Sequence, residues 1–156
     1  MMNMSHTLIN VIDVWDTTQM PWPNRSDQTI KDIQTDMCEF SKFLSIKLDS
    51  FKKRGAHINI AMHHYSPNPY FTFYNHQDVT YIEQSDELKQ YMDNNNLTQL
   101  ILCGAHLFKC ISSRATGYHS MKTIVPNTKV AITLCRPLPQ DAFEPLDYPV
   151  DDLVYF

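Results

Sequence analysis

Glycine is scarce, with Gly55, Gly104 and Gly117 the only three in 156 residues. They form no phosphate-binding glycine loop, which sets a flavodoxin-like binding domain behind the other readings. Basic residues are missing from three stretches. The first sixteen residues hold no Lys or Arg, and their apolar run is broken by Asn10 and Asp13, which fits neither a signal peptide nor a membrane span. None occurs from Gly55 to Leu88, and none in 137–156, where Pro137, Pro139, Pro145 and Pro149 stand among five acids. With 13 Lys and Arg against 17 Asp and Glu the net charge is −4, so the whole-chain field does not favour a nucleic-acid backbone. The four cysteines, Cys38, Cys103, Cys110 and Cys135, form no C-x-x-C pair and no zinc-finger spacing. They read as free thiols of a cytoplasmic protein without metal or cofactor.

What is present is a core. Hydrophobic residues make up 43% of the chain and charged ones 19%, enough for one compact domain over 1–136. The remainder, 137–156, reads as a Pro-rich acidic arm that packs on the domain or on a partner subunit. Thr7 to Val14 is an apolar β-branched run without alternation, the mark of a strand buried on both faces. Met37, Phe40, Leu44, Leu48 and Phe51 recur at helical spacing and predict a helix over Thr35 to Lys53. Its basic end before Gly55 matches the helix dipole and a glycine cap. Further strands are predicted at Ile58 to Met62, Val79 to Ile82, Gln99 to Cys103 and Val130 to Leu134. Helices are expected from Ser85 and over Phe108 to Met121. This alternation predicts an α/β fold, a three-layer α/β/α arrangement around a doubly wound, mostly parallel sheet.

Ligands of parallel α/β sheets bind outside the carboxyl ends of the strands, where Asp13, His63 and the Gly104 to Cys110 turn fall. His63 and the adjacent His64 point to opposite sides of a strand end and cannot easily share one ion. Cys110 falls in the first turn of the next helix, where the dipole and free N–H groups favour a thiolate and could hold an oxyanion. Aromatic residues of the 15–25 loop and of the loop after the second strand, Trp15 and Tyr65 among them, are candidate walls for a flat substrate.

The segment I-N-V-I-D ending at Asp13, the Arg54-Gly55 entry to the second strand and L-I-L-C-G-A-H-L-F-K-C-I together resemble the isochorismatase-like cysteine hydrolases. The resemblance runs from about Thr7 to Val125 and is strongest at Asp13 and at Gly104 to Cys110. It implies a hydrolase that cleaves an amide or related bond of a small, ring-bearing molecule through a thioester, and a homo-oligomer. Cys110 is implied as the nucleophile and Asp13 as the group that takes and returns its proton. Gly104, Ala105, His106, Trp15, Tyr65 and Arg114 are expected around the substrate. The family's third residue is a lysine between the second strand and the helix at Leu88, where this chain has no cation. Gln77 stands at that spacing, and its neighbour His76 is the candidate replacement. The missing lysine also motivates a second reading, a member of the same fold that binds a ligand or a protein partner without turning it over.

Overall fold

The computed structural model describes residues 3–22, 25–63, 65–107, 109–136 and 148–156. His64 and most of the Pro-rich arm, 137–147, lie outside the described residues. Six parallel strands form one sheet: β1 (Thr7–Ile12), β2 (His57–Ala61), β3 (Val79–Thr80), β4 (Gln99–Ala105), β5 (Thr128–Arg136) and β6 (Leu153–Val154). Their order is β3-β2-β1-β4-β5-β6, with every pairing parallel. The helices are α1 (Asp27–Lys53), α2 (Ser85–Asn94), α3 (Cys110–Ser113) and α4 (Tyr118–Lys122). This is the three-layer, Rossmann-like α/β architecture.

The unalternating strands are the buried ones. Every residue of β1 is buried, as is all of β4 beyond Gln99, because each has a strand on either side and helices over its faces. α1 lays Met37, Phe40, Leu44, Leu48 and Phe51 into this core. It begins two turns before Thr35, because Ser26 caps it by accepting the Thr29 N–H at 3.1 Å. An apolar stripe marks only where a helix touches the core, so the solvated first turns were invisible to it. At the other end Gly55, at φ +98°, closes the helix with its N–H on Lys52 O.

Two buried asparagines interrupt this apolar interior at paired positions of β1 and β2. Asn59 donates to Asn10 Oδ1 at 2.8 Å and to Ile82 O at 2.9 Å, and accepts from Ile82 N–H and Thr80 Oγ1. Asn10 in turn donates to Thr116 O at 3.0 Å. That last bond explains why the expected single helix over Phe108 to Met121 is two. Arg114 is extended (φ −64°, ψ 156°), the Thr116 carbonyl is turned toward β1, and α4 starts afresh after Gly117. A side chain at Gly117 would place its Cβ 2.6 Å from Ile111 O, so glycine is required at this crossing.

The described part of the arm packs on its own domain. Leu153 and Val154 add the sixth strand beside Val130 and Ala131 of β5. Tyr148 Oη bonds Leu107 O and Ser112 Oγ, both at 2.6 Å, so this segment braces the turn between β4 and α3. Asp152 accepts from Tyr118 Oη and pairs with Lys122 Nζ at 2.9 Å, tying α4 down as well.

Candidate functional site

Strand order reverses direction between β1 and β4, since β1 connects to β2 on one side and β4 to β5 on the other. Crossovers leave in opposite directions there and open a crevice at the carboxyl ends of the two strands. Asp13 is the first residue past β1. Its N–H donates to Ala61 O of β2, and its backbone takes φ +51°, a conformation rare outside glycine. Two more left-handed residues lie at the end of β4, Gly104 at φ +118° and His106 at φ +64°. A Cβ on Gly104 would stand 2.2 Å from Ile12 O, so β4 can pass this close to β1 only without a side chain. Three such conformations at the neighbouring ends of β1 and β4 mark a place where the surrounding fold imposes backbone geometry.

The Asp13 side chain is 0% exposed and is shared between two residues, Arg114 and His63. Oδ2 accepts from Arg114 Nε at 2.8 Å. Oδ1 accepts from the His63 N–H at 3.2 Å and from His63 Nδ1 at 3.1 Å. The Cys110 thiol lies within the influence of the same carboxylate, and Arg114 Nη2 reaches Cys110 Sγ at 3.7 Å. Arg114 therefore bridges the Asp13 carboxylate and the Cys110 thiol, with the His63 imidazole on the other carboxylate oxygen. Arg114 remains 21% exposed and lies with its Cζ 5.6 Å above the Trp15 ring.

Cys110 is the first residue of α3, at the expected strand end, but its thiol is not the expected thiolate. Burial, and then the negative charge and hydrogen bond of Asp13, push its pKa up to about 12, while Arg114 opposes them. A four-residue helix supplies little dipole, and the chain turns back to use its donors. The Lys109 and Ile111 N–H groups both bond His106 O. The Cys110 N–H is left without a backbone acceptor among the described residues.

Several other expected site residues are framework. Trp15 is buried under Arg114, with Tyr65 edge-on and His106 tilted against it, each at 4.9 Å between centroids. It is a pillar beneath the cation and presents no open face to a substrate. His106 forms the corner after β4, its N–H on Arg136 O. Ala105 is buried in the strand itself. Tyr65 is half-buried at the rim, where Asp16 N–H on Ser66 O and Asn68 N–H on Val14 O zip the segments after β1 and β2 together. His76 stacks on Phe73, with centroids 4.7 Å apart, in a groove beside α1 that also holds Lys42 and Tyr70. The cation on Asp13 is thus Arg114, four residues beyond Cys110, and not a residue near Gln77.

His63, which the sequence places at a strand's carboxyl end without a role in the chemistry, stands on Asp13 Oδ1. The signal was its place two residues past β2, next to the strand that ends at Asp13. Among the described residues no three His, Cys, Asp or Glu side chains are grouped to hold a metal ion. No helix described is long and apolar enough to cross a membrane. No family model matches the chain, and no curated protein matches it.

Proposed function

We propose that the protein is a cysteine hydrolase of the isochorismatase-like kind, cleaving an amide or related bond of a small molecule through a Cys110 thioester. The observation that carries this reading is Arg114 bridging the Asp13 carboxylate and the Cys110 thiol at the point where the strand order reverses. Asp13, joined to the thiol through Arg114, takes its proton as Sγ attacks the carbonyl. The proton then passes from Asp13 to the leaving amine, and the C–N bond breaks as the thioester forms. Arg114 takes the role the resemblance assigns to lysine, balancing the negative charge that passes between sulfur and carboxylate. The Cys110 N–H is the donor nearest the developing oxyanion.

The high thiol pKa favours a second reading, in which the same crevice binds a small molecule or a partner without turnover. Intact-mass analysis during exposure to a panel of small amides and activated esters separates the two. A covalent acyl adduct that disappears in Cys110→Ser and turns over with time supports the hydrolase. Noncovalent retention of compounds, equal in wild type and Cys110→Ser, supports the binding protein.

A further inference from the structure

We propose that the groove between α1 and the segment after β2 is a binding site for a small aromatic carboxylate, apart from the Cys110 crevice. Lys42, Ser45 and Ile46 share a helical face and form one wall, and Tyr70, Phe73 and His76 form the other, around about 770 Å³. None of them is among the residues that meet at Asp13. The observation that points to a ligand is Ser45. It is only 8% exposed, and its hydroxyl has no hydrogen-bond partner among the described residues. Ser41, one turn earlier on the same helix, shows the ordinary solution by donating to Met37 O at 2.6 Å. Ser45 forgoes that bond while lining the groove, and a buried hydroxyl without a partner is costly unless a ligand supplies one.

The donors beside Ser45 select a carboxylate. Lys42, three residues earlier and exposed, meets no acid among the described residues, and its Nζ lies over the Tyr70 ring at 4.5 Å from the centroid. His76 Nδ1 accepts the Asp78 N–H at 3.4 Å, so the neutral ring carries its hydrogen on Nε2 and adds a third donor to the lining. Asp49, the acid of the same helix face, is matched by Lys53 at 2.9 Å and stands two turns, about 10 Å of helix, beyond Lys42. The remaining surface is apolar and aromatic. Ile46 is 72% and Tyr70 46% exposed, large side chains that the fold leaves uncovered beside the groove. Phe73 and His76 are stacked within 13° of parallel and give their wall a planar surface. A flat ring packs against these side chains, and its carboxylate accepts from Lys42 and Ser45.

The probe is 2-naphthoate, titrated into the full chain by calorimetry, with the neutral 2-naphthalenemethanol as its partner; neither has an amide or ester to cleave. The expected result is one naphthoate per chain and binding of the alcohol weaker by about 10-fold. Lys42→Met is expected to weaken naphthoate by about 10-fold and to leave the alcohol unchanged. Ser45→Ala weakens naphthoate by about fivefold, while its melting temperature without ligand does not fall, because the hydroxyl removed has no bond to lose. Cys110→Ala binds naphthoate as wild type does. Equal affinity for the acid and the alcohol, or naphthoate binding unchanged in both Lys42→Met and Ser45→Ala, overturns the proposal. Binding lost in Cys110→Ala overturns it by moving the ligand to the crevice, and so does absence of binding at millimolar naphthoate. A dimer in sedimentation that Ile46→Glu dissolves overturns it as well, since a second copy then covers the groove.

Discussion

Arg114 Nε lies 2.8 Å from Asp13 Oδ2 although 101 positions separate the two residues, while Arg114 is only four positions from Cys110. One residue thereby holds the carboxylate of β1 and the thiol of α3 in register. The pair is strongly asymmetric, with a fully buried acid and a partly exposed base. Removing the base strands a buried charge, so Arg114→Met is expected to lose about 3 kcal/mol of stability in urea unfolding.

Asp13 and Arg114 act on the Cys110 thiol with opposite sign, and this is testable without a substrate. Asp13→Asn takes away a negative charge and an acceptor that hold the proton on sulfur, so the pH midpoint of Cys110 alkylation moves down. Arg114→Met takes away the opposing cation, so the midpoint moves up. Peptide mass spectrometry of iodoacetamide labelling against pH reads both. Equal or same-direction shifts would show that burial alone sets the thiol.

Alkaline stability follows from the same group. The Cys110 pKa is raised from an ordinary 9.0 to about 12 on folding. Below pH 9 the thiol is protonated in both states and its contribution is complete; between 9 and 12 only the unfolded chain ionises, and the contribution is lost. Burial raises Cys103 and Cys135 in the same direction, and burial with the Asp152 bond raises Tyr118 to about 12. Urea midpoints are expected to fall steadily above pH 9, and less steeply in Cys110→Ala.

Gly104→Ala is expected to cost about 3 kcal/mol or to prevent folding, since it combines a left-handed backbone with a Cβ driven into Ile12 O. Gly55→Ala, where the nearest atom is Ser5 Cα at 3.3 Å, adds only a small local shift to the conformational term and is the milder control. Thermal melts of the two variants side by side test the difference.

Asn10→Ala leaves the Thr116 carbonyl without its donor and frees the turn that carries Arg114. A loss of about 2 kcal/mol is expected from the buried, unpaired groups. Cys110 labelling should also become faster, as α3 and α4 loosen together, whereas Cys103 labelling stays slow.

The fold was legible because its signals are local. Unbroken apolar runs marked β1 and β4, and their alternation with helical stripes carried the α/β class. Asp13 and Cys110 were legible too, as a polar residue and a thiol at two such strand ends. What was not legible depends on contacts across the chain. The split between α3 and α4 is made by Asn10, 106 positions from Thr116, and only that split aims Arg114 at Asp13. His63 gains its meaning from β2 lying beside β1, an adjacency that periodicity along the chain does not encode. The two-residue strand β6 is too short to carry a pattern of its own and is defined by its partner β5.

The four thiols lie at different depths of one structure. Cys38 is partly accessible on α1, Cys110 is 8% exposed on a four-residue helix, and Cys103 and Cys135 sit in adjacent central strands. Each therefore needs a different amount of the molecule to open before it can react. Cys38 reports surface breathing, Cys110 the detachment of α3, and the strand pair the parting of the sheet. Labelled in one experiment under mild denaturant, they make the protein its own map of local against global unfolding, with no added probe.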